Sequence, residues 1–145
     1  MNNDKYLTKM DDSSFPIVKF KFGKTIKNIE EFEELKKCWL KQYLKKQNFF
    51  VVFDTSEMEK LPMHYLYKLS KFAGDLKKLN PEDQHLKASI LLIKNDFVRK
   101  LYGIYLKLQK PISKIYIVKE MKDVNIILDM LINNKKVVGY KEYNC

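Results

Sequence analysis

The stretch NFFVVFD, residues 48–54, is apolar at every position between its polar ends. A strand with one wet face alternates apolar and polar residues. An unbroken run of this length, bounded by turn-formers, belongs instead in a strand covered on both faces, and that requires helices as its neighbours.

The chain supplies them. Before the run, FPIVKFKFG (15–23) sets Phe20 and Phe22 on one side and Lys19 and Lys21 on the other, the period of a half-exposed strand ending at Gly23. Asn28 is placed to cap a helix with Glu30, Glu31, Glu33 and Glu34 in its first turns, where the helix dipole favours acids. This helix is expected to run to about Lys46, with Ile29, Phe32, Leu35, Trp39 and Tyr43 on its buried face. After the run, Pro62 suits the first turn of a second helix marked by Tyr65, Leu66, Leu69, Phe72, Ala73, Leu76 and Leu79. ASILLIK reads as another covered strand, Asn95 or Asp96 starts a third helix, SKIYIVKE is a fourth strand and VNIILDMLINN a fourth helix.

Strand and helix alternate four times, so the expected fold class is α/β: a single domain with a four- to five-stranded, mostly parallel sheet and four covering helices. The domain is expected over residues 15–136, after a flexible segment 1–14 and before a tail 137–145 that can add a short edge segment. With 145 residues and 46% hydrophobic content, one core suffices and a second domain does not fit comfortably.

Composition narrows the chemistry. The net charge is +10, which favours phosphates, an anionic membrane face or an acidic protein. Only Arg99 among the 28 basic residues is arginine, the preferred reader of guanine edges, so sequence-specific DNA recognition is disfavoured. The abundance of Lys, Asn, Ile, Tyr and Phe is that of an AT-rich coding sequence, as in a low-GC bacterium, a protist or a large DNA virus. No run is long enough for a membrane-spanning helix, and MNNDKYLTKMDDSS lacks the apolar stretch of a signal peptide. The expectation is an intracellular, cytoplasmic protein, or a virion component if the source is viral.

Residues 15–132, in this order of elements, resemble the STAS family, the anti-sigma-factor-antagonist-like domains. The likeness is carried by FPIVKFKFG, the helix of IEEFEELKKCWLKQYL and the FFVVFDTSEMEKLPMHYLYKL block. In that family an apolar strand ends in an aspartate, and a short loop leads to a helix that starts with a phosphorylatable serine in an Asp-Ser-Ser-Gly-Leu-like pattern. Asp54 looks like the strand-end aspartate. The helix start reads Leu61, Pro62, Met63, His64, Tyr65, Leu66, so the serine and the glycine are absent. The resemblance implies the scaffold without its phospho-switch. LLIKNDFVRKLYGIYLKLQKPISKIYIV (91–118) also resembles the second half of CRAL-TRIO lipid-binding domains, which implies lipid as an alternative ligand.

Three sets of residues are candidates for function. Asp54, Thr55 and Ser56 fall at the carboxyl end of a strand, where open parallel sheets bind ligands, with Lys94, Asn95 and Asp96 expected beside them. The plainer role for Asp54 is a turn, and for Asn95 or Asp96 a helix cap. Lys68, Lys71 and Lys78 on the second helix and Arg99, Lys100 and Lys107 on the third fall off the apolar stripes, as solvated faces or as a polyanion-binding surface. Tyr67, Tyr102 and Tyr105 lie near them in sequence, and an aromatic among basic residues can stack on a base.

On the third helix Phe97, Leu101, Tyr102, Tyr105 and Leu108 spread apolar surface around most of its circumference, so it wants a second contact beyond the sheet: a partner subunit or a lipid. Catalysis is not assembled. The four glycines form no phosphate-binding pattern, and the two histidines, His64 and His85, with Cys38 and Cys145 make no metal-ligand spacing. No cofactor is expected. His64 has no evident carboxylate to orient it toward Ser56 or Ser70, and Cys38 beside Trp39 is expected to be half-buried and inert. The leading expectation is a non-enzymatic interaction module, homodimeric, with a basic surface for an acidic protein or nucleic acid. The alternatives are lipid binding between sheet and third helix, and a basic structural protein of a large DNA virus particle.

Overall fold

The computed structural model describes residues 9–23, 29–58, 63–108 and 110–144, with no side-chain detail for 29, 63–67, 69–70 and 108. Along the chain, β1 (Lys9–Ser14) and β2 (Ile17–Lys21) are followed by α1 (Ile29–Tyr43), β3 (Phe49–Asp54), α2 (Met63–Leu76) and β4 (Leu86–Leu92). Then come α3 (Asp96–Leu108), β5 (Lys114–Val118), α4 (Met121–Ile132) and β6 (Glu142–Tyr143). The six strands form one sheet in sequential order, β1-β2-β3-β4-β5-β6.

The α/β class expected from the alternation is present, but the sheet is mixed, with six strands instead of four or five. Strands β2 to β5 run parallel, and β1 and β6 join the two edges antiparallel. Lys9–Ser14, within the segment expected to be flexible, forms β1, and Glu142–Tyr143 in the tail forms β6. β6 is the short edge segment expected of the tail, whereas β1 was hard to see. KMDDSS has one large apolar residue, Met10, and its strand conformation comes from pairing with β2, where Met10 lies opposite Phe20. Side chains add to the pairing: Asp12 accepts hydrogen bonds from Gln42 Nε2 at 3.3 Å and Lys45 Nζ at 3.0 Å, both on or just past α1.

Sequential order has a geometric consequence. Each crossover from β2 to β5 steps the same way, and right-handed crossovers then put all their helices on one face. The core divides accordingly. Val18, Phe20, Phe49, Val51, Phe53 and Leu91 meet Phe32, Leu35 and Trp39 of α1, Phe72 and Leu76 of α2, and Val98 and Tyr102 of α3. On the other face Val52, Ile90, Leu92, Tyr116 and Val118 meet Val124, Ile127 and Leu128 of α4. Trp39 centres the larger half, its ring 5.2 Å from Phe72, 5.4 Å from Phe53 and 6.3 Å from Phe20. The alternation read for β2 is present: Val18 and Phe20 are buried, and Lys19 and Lys21 are exposed on the α4 face.

α1 ends at Tyr43, short of Lys46, which adopts a left-handed φ of 53° in the turn into β3. Asn28 and Pro62, read as helix-start residues, lie outside the described residues. Among the described residues no helix is long and apolar enough to cross a membrane.

Candidate functional site

The strand-end loop is occupied by its own hydrogen bonds. Asp54 Oδ1 accepts the Ser56 backbone N–H at 2.9 Å, an Asx turn, and the Asp54 carbonyl accepts from the Phe22 N–H. Thr55 donates both its N–H and its hydroxyl to the Leu92 carbonyl. Beside it, Asn95 Oδ1 accepts the Val98 N–H at 3.1 Å and caps α3. Arg99 turns back on the same loop, donating to the carbonyls of Ile93 at 2.7 Å and Lys94 at 3.0 Å and pairing with Asp96. The topology accounts for this. Ligand crevices in open sheets form where the strand order reverses, and the order here has no reversal.

α3 carries the surfaces of interest, and its residues sort into three faces. Val98, Tyr102, Tyr105 and Leu106 point inward. Asp96, Arg99, Lys100, Gly103, Ile104 and Lys107 line a cleft of about 590 Å³ toward β6, completed by Ile117, Lys141 and Tyr143. Phe97, Leu101 and Ile104, spaced four and three apart, are 69%, 38% and 57% exposed; Phe97 and Leu101 face outward and Ile104 stands where that face meets the cleft. The five residues expected to make one apolar partner face therefore separate: Phe97 and Leu101 point to solvent, whereas Tyr102 and Tyr105 line an interior cavity. The Leu108 side chain lies outside the description.

The basic cleft gathers the α3 cations and leaves out those of α2. Lys100, Lys107 and Lys141 are exposed along it. Arg99 belongs to it with its guanidinium spent on the loop carbonyls and Asp96. On α2, Lys68 is half-buried with its ammonium 6.0 Å from the Phe32 ring centre, Lys78 pairs with Asp75 at 3.7 Å, and Lys71 is exposed.

Lys141 and Tyr143 were missed because they come from the tail. The readable signal was Gly103, an isolated glycine inside a helix pattern, which marks close approach by another group. A Cβ at Gly103 would stand 3.0 Å from the Tyr143 hydroxyl oxygen. The Lys141 ammonium lies 5.3 Å from the Tyr143 ring centre. β6 is anchored in turn by Tyr116, whose hydroxyl donates to Glu142 Oε1 at 2.5 Å. Burial, reinforced by Glu142, pushes the Tyr116 phenol well above its usual range.

The second space is apolar. A cavity of about 110 Å³ lies between the sheet and the inner faces of the helices, walled by Phe22, Trp39, Phe53, Ala73, Leu91 and Tyr102 among others. Lys110, Pro111, Ile112 and Ser113, the segment leading from α3 into β5, close one side of it. Nearby, burial pushes the Tyr43 phenol up to about 12, against smaller opposing effects of Trp39 and Gln84. Tyr43 donates to Gln84 Oε1 at 2.6 Å, and the Trp39 indole N–H, though close enough to bias that phenol, reaches no acceptor in hydrogen-bond geometry.

Of the remaining candidates, Cys38 is half-buried, and burial, with Glu34 next, pushes its thiol up, away from the reactive thiolate. His85 sits beside Tyr43 and Asn48. The side chains of His64, Tyr67 and Ser70, and all of Cys145, lie outside the description. Among the described residues no three His, Cys, Asp or Glu side chains come together as a metal site. No protein-family model matches the chain, and neither a curated protein nor a solved structure is measurably similar to it.

Proposed function

We propose that the chain is a STAS-like, non-enzymatic interaction module whose basic cleft between α3 and β6 holds a polyanion, a nucleic-acid strand or an acidic protein segment. One observation carries the reading. Lys100 and Lys107 of α3 and Lys141 just before β6, 34 to 41 residues away in sequence, converge on one cleft with Tyr143 as an aromatic wall. Cations brought together by the fold attract a chain of negative charge with little sequence preference, by releasing its counterions. The scarcity of arginine agrees with recognition of charge instead of base edges.

Self-association through the outward stripe of Phe97, Leu101 and Ile104 belongs to the same proposal, since a two-fold pairing lets each copy cover the other's stripe. The STAS-like reading of the scaffold rests on the order of its elements and on Asp54 at the strand end.

The test is binding of a labelled, arbitrary-sequence DNA duplex across a salt series, with a glutamate-rich peptide measured in parallel. Binding weakens steeply with salt, and reversal of Lys100, Lys107 and Lys141 to Glu reduces the logarithmic salt slope by about one per lysine. Reversal of Lys68, Lys71 and Lys78 leaves the slope largely intact. Absence of binding to both probes at low salt, or equal loss from the two sets of reversals, defeats the proposal.

A further inference from the structure

The apolar cavity is separate from the basic cleft and shares no lining residue with it. Well-packed interiors have few voids larger than a water molecule. This one is about 110 Å³ and sits where α1, α2 and α3 meet the sheet, walled largely by Trp39, Phe53, Leu91 and Tyr102. A small number of polar groups interrupts the apolar wall. Ser113 Oγ is buried without a hydrogen-bond partner, in a residue only 7% exposed, and Ser89, 4% exposed, adds a second hydroxyl to the lining. An unpartnered buried hydroxyl is costly to a fold that makes no use of it. An apolar enclosure with one or two polar groups is the usual composition of a small-molecule site.

From this we infer that the cavity is a binding site for a small, mostly apolar molecule, a single ring or a short branched chain, bearing one hydroxyl or carbonyl group that pairs with Ser113. Size sets the class. Drug-sized sites run to about 300–1,000 Å³, and an engineered cavity of about 150 Å³ accepts benzene. A space of about 110 Å³ matches a single ring or a short branched chain and is smaller than a long acyl chain needs. Lys110 lines the same cavity and is exposed, which places a cation at its outer edge; a ligand with a second, anionic end is accommodated there without entering the apolar part.

The chain has its own reporter. Trp39 is the single tryptophan and lines the cavity, so its fluorescence responds to an occupant directly. Phenol and benzene are the probes. The expected result is saturable change of Trp39 emission with both, accompanied by a rise in Tm. Ser113→Ala weakens phenol about fivefold, the worth of one hydrogen bond, and leaves benzene unchanged. Ala73→Leu, which fills the space from α2, abolishes both; Ser113→Val fills it from the opposite wall and keeps the test alive if the first variant does not fold. Non-saturating quenching without a rise in Tm overturns the inference. So does binding that survives the filling variants, or equal affinity of the wild type and Ser113→Ala for phenol.

Discussion

Single residues in this chain are held by contacts that their sequence neighbours do not announce. Gly103 is the clearest case. In a helix interior alanine is favoured over glycine by about 1 kcal/mol, yet the Tyr143 hydroxyl stands 3.0 Å from where a Cβ would be. Gly103→Ala is therefore expected to stabilise by about 1 kcal/mol in a Tyr143→Phe background and by clearly less in the wild type. Denaturant midpoints of the four proteins measure the difference, and equal gains would mean that the ring does not constrain the helix.

Tyr43 behaves differently, through its proton. Its phenol is pushed up to about 12, mainly by burial, so the folded state holds a proton that the unfolded chain gives up near its ordinary value of about 10. This contribution to stability is complete below about pH 10 and is lost as pH rises toward 12. Thermal unfolding between pH 9 and 12 should show the decline, and Tyr43→Phe should remove part of it. At this scale the sequence was informative about local roles and silent about distant ones: the Asx turn of Asp54 and the cap of Asn95 depend on near neighbours, whereas Lys141 and Ser113 acquire meaning only through folding.

Among the elements, α3 shows how far periodicity can be read. Its apolar residues do cover most of the circumference, as the pattern suggests, but periodicity gives angles without saying what stands at each. Three different surroundings meet it: the cavity, the cleft beside β6 and solvent. β6 is two residues long and has no apolar pattern of its own, so it follows from pairing with β5 and from Tyr116. Removing its anchor with Glu142→Ala leaves a buried phenol without its acceptor, at an expected cost of about 1–3 kcal/mol. Tyr116→Phe breaks the same hydrogen bond without changing any charge at neutral pH, so it isolates the loosening of the wall that carries Lys141, and polyanion affinity should fall. Unchanged affinity in a stable Tyr116→Phe protein would separate β6 from the cleft.

The core elements were readable from the start, because unbroken apolar runs dictate burial on both faces. Phe20 is fully buried between Trp39 and Phe53, and Phe20→Ala is expected to cost about 3–5 kcal/mol in equilibrium unfolding.

For the molecule as a whole, the strand order decides where function can sit. Alternating strands and helices announce an α/β fold, but the order of strands is written in contacts between distant segments and is not legible from alternation. With a sequential order, α1 to α3 share one face, no reversal opens a crevice at the strand ends, and the loop at Asp54 is left as a turn. The surfaces worth attention move to the flanks of α3. The charge of +10 is likewise a property of composition until the fold distributes it, and the fold separates the lysines of α2 from those of the cleft.

Two glycine amides report on the two surfaces: Gly103 lies in the cleft and Gly74 in α2. The decisive measurement is an amide chemical-shift titration of the isotopically labelled protein with a short DNA duplex at low salt. The account predicts saturable shifts at Gly103, Lys107 and Lys141 with Gly74 unmoved. Shifts centred on Gly74 and Lys71 with a silent Gly103 would contradict it.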